Sequence, residues 1–222
     1  MNTKIHYLVS LDNLLFLIIV LFFLHIQVNA QVFAGVEVGG ISANLTTPND
    51  LGEGVAWNYH YGISAGTFID IPLGESIGLR PTLQYIQKGL NADLSDMGWK
   101  TAITNSYIEL PVNVRYELSC NPLRLFFIGG PTIGYLVSSK AEITFDQAGS
   151  DAVNTKDMYK SYDVTINIGV GVEYQISPNL ILIPTLRYYH GIVKVHTPVS
   201  GESQSYSRTF QLSIGVMMPI AK

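Results

Sequence analysis

The sequence predicts an all-β chain, an eight-stranded antiparallel up-and-down transmembrane β-barrel with short periplasmic turns and longer extracellular loops. Three observations predict it. Apolar and polar residues alternate with period two in eight separate stretches after residue 31. Each stretch runs about 14 or 15 residues, where strands of soluble sheets commonly have about 5 or 6. In the clearest strands no Asp, Glu, Lys or Arg stands on the apolar face, and the charges gather on the other.

The first thirty residues are read apart from the barrel. Lys4 precedes the apolar run "LLFLIIVLFFL", and "HIQVNA" follows it. Eleven apolar residues fall short of the roughly 20 that a spanning helix needs. With Val28 and Ala30 as the small residues of a cleavage site, residues 1–30 read as a secretory signal peptide, cut between Ala30 and Gln31. Residues 31–222 then form one outer-membrane barrel domain.

The strands are expected at about 31–45, 57–70, 76–90, 104–118, 124–138, 161–176, 180–193 and 206–220. "IPLGE", "SCNPL" and "SPN" connect the second to third, fourth to fifth and sixth to seventh, all short and rich in turn-forming residues. The connections at 46–56, 91–103, 139–160 and 194–205 are longer and polar. This alternation is that of an up-and-down barrel with tight turns at one rim and long loops at the other.

The sorting of charge decides which face looks outward. Ile108, Leu110, Val112, Val114, Tyr116 and Leu118 oppose Glu109, Asn113, Arg115 and Glu117 in the fourth strand, and Val164 to Ile176 oppose Asp163, Asn167 and Glu173 in the sixth. A basic residue at the bilayer midplane costs about 2 to 4 kcal/mol, so a charge-free face suits lipid. Glu37, Arg80, Glu109, Arg115, Glu173 and Arg187 are expected to meet in the lumen as a structural charge network. Gly169 and Gly171 would leave room there for long Arg and Glu side chains. Trp57, Tyr59, Tyr85, Tyr107, Tyr174, Tyr188 and Tyr206 are candidates for interfacial girdles. Two features fit less simply. Phe126 and Ile128 fall on the inner side of the fifth strand, leaving its register open, and Pro81, Pro111, Pro131 and Pro184 inside strands suggest bulges or bends.

Composition excludes some functions. The chain is 47% apolar and 14% charged with a net charge of −4, which gives no electrostatic footprint for nucleic acid. Cys120 is the single cysteine, so no internal disulfide forms.

The segments "GLRPTLQYIQKGL", "YIELPVNVRYEL", "FFIGGPTIGYLVSSK", "NIGVGVEY" and "LRYYHGI", in this order after "NAQ", resemble the PorT-like outer-membrane β-barrel proteins of Bacteroidota. The resemblance implies an eight-stranded barrel in the outer membrane of a Gram-negative cell. One branch of that family is associated with type IX secretion and gliding. The C-terminal "MMPIAK" departs from the terminal aromatic that many such barrels carry.

Candidate chemistry is sparse. "GISAG" at 62–66 matches the G-x-S-x-G pattern of hydrolases, which needs a strand-to-helix turn, but no helical period follows it. Ser64 is read as lining the lumen. His60, His190 and His196 have no spacing for a metal site. No catalytic, metal or cofactor residue is assigned, and no cofactor is expected. The expected function is non-enzymatic, a structural or interaction role through the extracellular loops, with outer-membrane lipid, the barrel-assembly machinery and other envelope or secretion proteins as partners. The alternatives are a secretion accessory, a narrow solute channel, a lipid-modifying enzyme using Ser64 or His60, or a soluble lipocalin-like carrier. The carrier would need an apolar interior.

Overall fold

The computed structural model describes residues 31–46, 56–94, 99–120, 123–145, 149–194 and 206–221. Residues 1–30, with Ala30 of the expected cleavage, and His196 lie outside the described residues, while Gln31 begins them.

Nine strands follow one another: β1 Val32–Thr46, β2 Ala56–Pro72, β3 Ile77–Leu94, β4 Trp99–Cys120, β5 Leu123–Phe145, β6 Gly149–Asn154, β7 Tyr162–Ser177, β8 Leu180–Gly191 and β9 Tyr206–Ala221. All pairings are antiparallel, and β1 pairs with both β2 and β9. The β4–β5 and β5–β7 pairings complete the ring, so eight strands close into a barrel and β6 stands outside it, paired to the upper end of β5. Closure leaves the barrel proper with no open edge.

The alternation works as elementary sterics requires: successive side chains point to opposite faces. Val36, Val38, Ile63, Leu83, Leu110, Ile133, Ile168, Leu212 and Ile214 face outward and are exposed. Their strand neighbours Glu37, Ser64, Thr82, Gln84, Glu109, Thr132, Asn167, Gln211 and Ser213 are buried inside. A surface of this kind meets lipid rather than water.

The strands are longer than expected at one rim. β4 has 22 residues and β5 has 23. At roughly 3.3 Å per residue and about 45° of tilt they climb about 50 Å, twice the apolar band of about 25 Å. Their lower ends meet across a two-residue connection, Cys120 pairing with Leu123, so the surplus lies on the long-loop side. The expected loops at 91–103 and 139–160 are therefore largely strand: β3 runs to Leu94, β4 starts at Trp99, and the other contains the rest of β5, β6 and a 3-10 turn at Lys156–Met158. We call this raised sheet of β3, β4, β5 and β6 the vane.

Polarity inverts where the vane begins. Ile41, Ala43, Ile86, Leu90, Ala92, Tyr107, Leu136 and Tyr159 form a buried apolar cluster at the barrel mouth, with Ile103 against it. Lys100, Lys140, Glu142 and Thr144 on the outer face are exposed. The vane is thus built as a soluble sheet is, greasy within and polar without. Two bulges fall at this level, between Tyr59 and Ser64 of β2 and opposite the Ser106–Tyr107 step of β4. The second makes Val137 an extra residue in β5, so outward positions pass from 133, 135 and 137 to 140, 142 and 144. A single inserted residue reverses the parity of everything beyond it, so residues 139–145 do not continue the alternation of the lower part of β5.

One open point is settled and two further expectations are corrected. The register of β5 is settled with Phe126 and Ile128 inside, in a lower apolar cluster with Phe68, Ile181, Ile183 and Met217. The prolines do not mark the bulges: Pro81 pairs with Val112, Pro111 with Thr132, Pro131 with Ile166 and Pro184 with Ile214, and register carries through each. Losing one donor interrupts the ladder locally without inserting a residue. Tyr107 is no girdle residue, because it shares the inward parity of Glu109 and is buried. Tyr59, Tyr61, Tyr135, Tyr162 and Phe210 are exposed toward the upper side, and Tyr116, Phe127 and Tyr174 toward the lower. Tyr85, Tyr188 and Tyr206 are half-buried, and Trp57 belongs to β2.

Candidate functional site

The chemistry-bearing side chains meet in the lumen, in layers. Each inward strand face delivers one or two of them, and a glycine commonly stands opposite the longest. Phe68 pairs with Gly35, Phe126 with Gly171, Arg187 with Gly169 and Glu109 with Gly134. A Cβ on Gly35 would stand 2.3 Å from Phe68 Cζ, and one on Gly171 would stand 2.3 Å from Phe126 Cζ. Gly169 leaves room for the Arg187 stem, where a Cβ would lie 2.8 Å from Cγ. Gly171 serves a phenyl ring rather than the Arg or Glu expected of it.

The lowest layer holds six charges. The Arg80 guanidinium pairs with Asp70, donating from Nε to Oδ2 at 3.0 Å, and lies 3.7 Å from Glu173. Arg115 pairs with Glu173 and donates to Glu117 at 2.6 Å, while Arg124 lies 3.2 Å from Glu173. Three arginines thus meet Asp70, Glu117 and Glu173, with no net charge. The Phe68 and Phe126 rings flank Arg80, each with its centroid 4.8 Å from Cζ. Guanidinium over ring faces is favourable, more so when desolvated, and Arg80 is 0% exposed. Below this layer a cavity of about 180 Å³ opens at the short-turn rim, walled by Phe33, Ile77, Met217, Arg115, Arg124 and Glu117 among others.

The middle layer centres on Glu37 and Arg187, joined by two parallel hydrogen bonds of 2.6 and 2.9 Å. Such fork-on-fork pairs are the strongest protein ion pairs. Beside them Tyr189 donates to Gln211 at 2.8 Å, and Gln211 donates to Ser64 at 2.8 Å. Asn167 donates to Asn113, Gly130 and Thr132 at 2.8, 3.0 and 3.1 Å. Above, Lys88 bridges Glu109 at 2.6 Å and Asp163 at 3.2 Å, with Gln84 donating to Glu109 at 3.0 Å.

Glu37, Arg80, Glu109, Arg115, Glu173 and Arg187 are all buried in this lumen, divided among the three layers. Asp70, Lys88 and Asp163 complete the pairs and were outside that set of six. The parity of their strands was their signal, since each shares the polar face of its strand. At the top the segment after β6 folds back over the mouth. Leu136 N–H donates to Ser161 O at 2.8 Å, Thr155 N–H to Ser139 O at 3.1 Å, and the two hydroxyls of Ser139 and Thr155 are 2.7 Å apart. This arc inserts Tyr159 into the apolar cluster, and burial pushes its hydroxyl up to about 12. The lumen is therefore filled in depth, by paired charges, amides and two apolar clusters. That fits eight strands, whose interior is just wide enough for side chains to fill.

Hydrolytic geometry is absent among the described residues at the two candidates. Ser64 lies inside β2, accepts from Gln211 and is 3.4 Å from Gly39 O, with no imidazole partner. His60 sits higher, 3.3 Å from Asn91 Oδ1 and 3.4 Å from Thr104 Oγ1. His190 faces outward beside Tyr188. Among the described residues no group of three or more His, Cys, Asp or Glu is placed to hold a metal ion.

A closed, eight-stranded, up-and-down barrel with an apolar coat and a polar packed lumen is the architecture of an outer-membrane protein. Residues 24–197 match the model of the outer membrane protein beta-barrel domain family, and the chain belongs to that family. No protein of curated function matches it. Among solved structures it is similar to Neisserial surface protein A, at 16% identity over 84% of this chain and 97% of that one, with a TM-score of 0.49. OprG from Pseudomonas aeruginosa shares 7% identity over 86% and 97% of the two chains, TM-score 0.49. Ail, the attachment invasion locus protein of Yersinia pestis, shares 9% over 85% and 100%, TM-score 0.42.

Proposed function

We propose that this outer-membrane barrel is non-enzymatic and acts through its extracellular vane, while the lumen network holds the wall rigid and closed. One observation carries the reading: the polar lumen is filled and capped at both levels, whereas β3 to β6 project well beyond the apolar band. The Arg80 layer and the Tyr159 cap leave little scope for solute passage, and Ser64 is committed to Gln211. The vane offers β6 as an edge strand bound to β5 on one side only, a geometry that accepts a further strand from a partner. Other cell-envelope or secretion proteins are the partner class, with no role for nucleic acid or a cofactor. The resemblance to the PorT-like proteins of Bacteroidota supports this and extends it to a secretion accessory of the type IX kind. Export through a signal peptide cleaved between Ala30 and Gln31, followed by insertion by the barrel-assembly machinery, delivers the chain to the outer membrane. An intact-mass measurement on protein from outer membranes tests the cleavage.

The decisive experiment joins two measurements on the full chain. Planar bilayers containing the refolded protein are expected to remain electrically silent. A photo-crosslinking residue at Ser150 of β6, introduced in cells, is expected to form a discrete adduct with an envelope protein. Steady single-channel conductance without any adduct would replace this reading with that of a narrow channel.

A further inference from the structure

The outer wall carries a second pattern, at the foot of the vane and separate from the lumen. Five basic residues lie just above the upper aromatic residues, on β5, β9 and the connecting segments of one half of the barrel. Lys140 is exposed on β5. Lys156 and Lys160 lie on the arc between β6 and β7, which runs beside β5 between Ser139 and Leu136. Lys194 lies two residues beyond Ile192, whose N–H bonds Val164 O of β7. Arg208 is exposed on β9, two residues above Phe210. Two residues span about 7 Å of strand, so these cations hover at the level where lipid headgroups meet the apolar band.

Lys156 fixes that level. Its ammonium stands 5.9 Å from the Tyr135 ring centroid and 3.3 Å from Val137 O. Tyr135 pairs with Tyr162 on β7, and both are exposed beside Ile133 and Ile166. A cation is thus held over the Tyr135 ring, which faces lipid beside Tyr162. Met158, also exposed, adds a flexible apolar surface to the same arc. Asp157 is the acidic neighbour on the arc, and Glu142 stands two residues above Lys140, leaving the half-wall with an excess of positive charge. The other half differs. Asn44, level with Arg208 across the β1–β9 pair, and Gln87 and Asn91 on β3 are neutral.

We propose that the half-wall from β5 through β9 binds the phosphate headgroup of an outer-leaflet lipid, with its acyl chains on Ile133, Tyr135, Tyr162 and Ile166. Charge complementarity selects a phosphate-bearing headgroup, and continuity with the lipid-facing coat selects a lipid over a soluble anion. An ammonium already positioned by Tyr135 and Val137 needs little further ordering to bind, which favours affinity. The inference goes beyond the vane's proposed role and does not depend on it.

The test uses the full chain refolded in dodecylmaltoside micelles and titrated with lipid A, with binding read by native mass spectrometry. A triple variant, K156Q/K160Q/K194Q, is expected to bind at least about 10-fold more weakly, since it loses three charge-assisted contacts. K156R/K160R/K194R keeps the charge and retains most of the affinity, and K100Q, high on the vane, changes nothing. Millimolar inorganic phosphate and soluble polyglutamate should fail to compete. Heat-dependent mobility in SDS gels confirms that each variant is folded. Equal binding by the triple Gln variant, or full competition by phosphate or polyglutamate, would overturn the proposal; the latter result would point to a soluble anion or an acidic protein instead.

Discussion

Replacing Glu37 by Gln, or Arg187 by Met, tests whether the lumen is dry and packed. The two groups are joined by bonds of 2.6 and 2.9 Å, and Arg187 is 0% exposed. With charge centres about 4 Å apart, the attraction is about 4 kcal/mol at an effective dielectric of 20, but only about 1 kcal/mol in bulk water. Removing one partner from a buried pair costs about 3 to 5 kcal/mol, because the other charge is left without compensation. Each single variant should therefore lose about that much, and E37Q/R187M should lose far less than the sum, giving a coupling of about 2 to 4 kcal/mol. The assay is urea unfolding from lipid vesicles, followed by tryptophan emission and checked by gel mobility. Single losses below about 1 kcal/mol that simply add would mean that water screens the pair. The lumen would then be a hydrated passage, and the account of a sealed wall would be wrong.

Gly171→Ala should cost about 1 to 3 kcal/mol by the same unfolding assay, because the new methyl displaces the Phe126 ring from Arg80. Gly40→Ala, where an added Cβ meets nothing within 4 Å, is the matched control and should change stability by less than about 0.5 kcal/mol. The Tyr159 phenol titrates near 10 when unfolded and is pushed up to about 12 by burial. Its neutral form is therefore favoured by the fold, so its contribution is complete below pH 10 and is lost as pH rises through about 12. The urea midpoint should fall as pH is raised from 10 to 12, and Tyr159→Phe should lessen that fall; an equal fall in the variant would refute the assignment. Ser64→Ala should leave the lipid composition of cells unaltered, since Ser64 serves Gln211 rather than a substrate; altered acylation would reopen the enzymatic reading.

The barrel was legible because lipid imposes a severe rule on each outward position. Val164 to Ile176 alternate in sequence against Asp163, Asn167 and Glu173, and β7 follows that alternation from Tyr162 to Tyr174, before the register shift between Gln175 and Ser177. The vane was less legible. Its faces are only moderately contrasted, with Thr101 and Ala102 adjacent on β4, and the extra Val137 of β5 reverses parity within the segment. The charge layers were legible by face but not by pairing. Glu37 and Arg187 are 150 residues apart, and which cation meets which anion depends on the stagger of strands around a closed ring. Asp70 could have been placed with Arg80 once β2 and β3 were aligned across their short turn. The phenyl rings beside Arg80 were the least accessible, because Phe68 and Phe126 break the polar rule of the inner face. The glycines opposite them, Gly35 and Gly171, were the available signal.

The reversal of polarity between barrel and vane sets the depth at which the molecule floats. Sinking by two residues along the strands would lower it by about 5 Å. That would press Lys140 and then Glu142 toward hydrocarbon, where a charge costs up to about 2 to 4 kcal/mol at the midplane. Rising by the same amount would lift Tyr135, Tyr162 and Phe210 into water and forfeit their burial in the bilayer. The boundary between the two patterns is thus a waterline written into the chain, and it holds β6 at a constant height above the cell surface whatever the barrel encounters there.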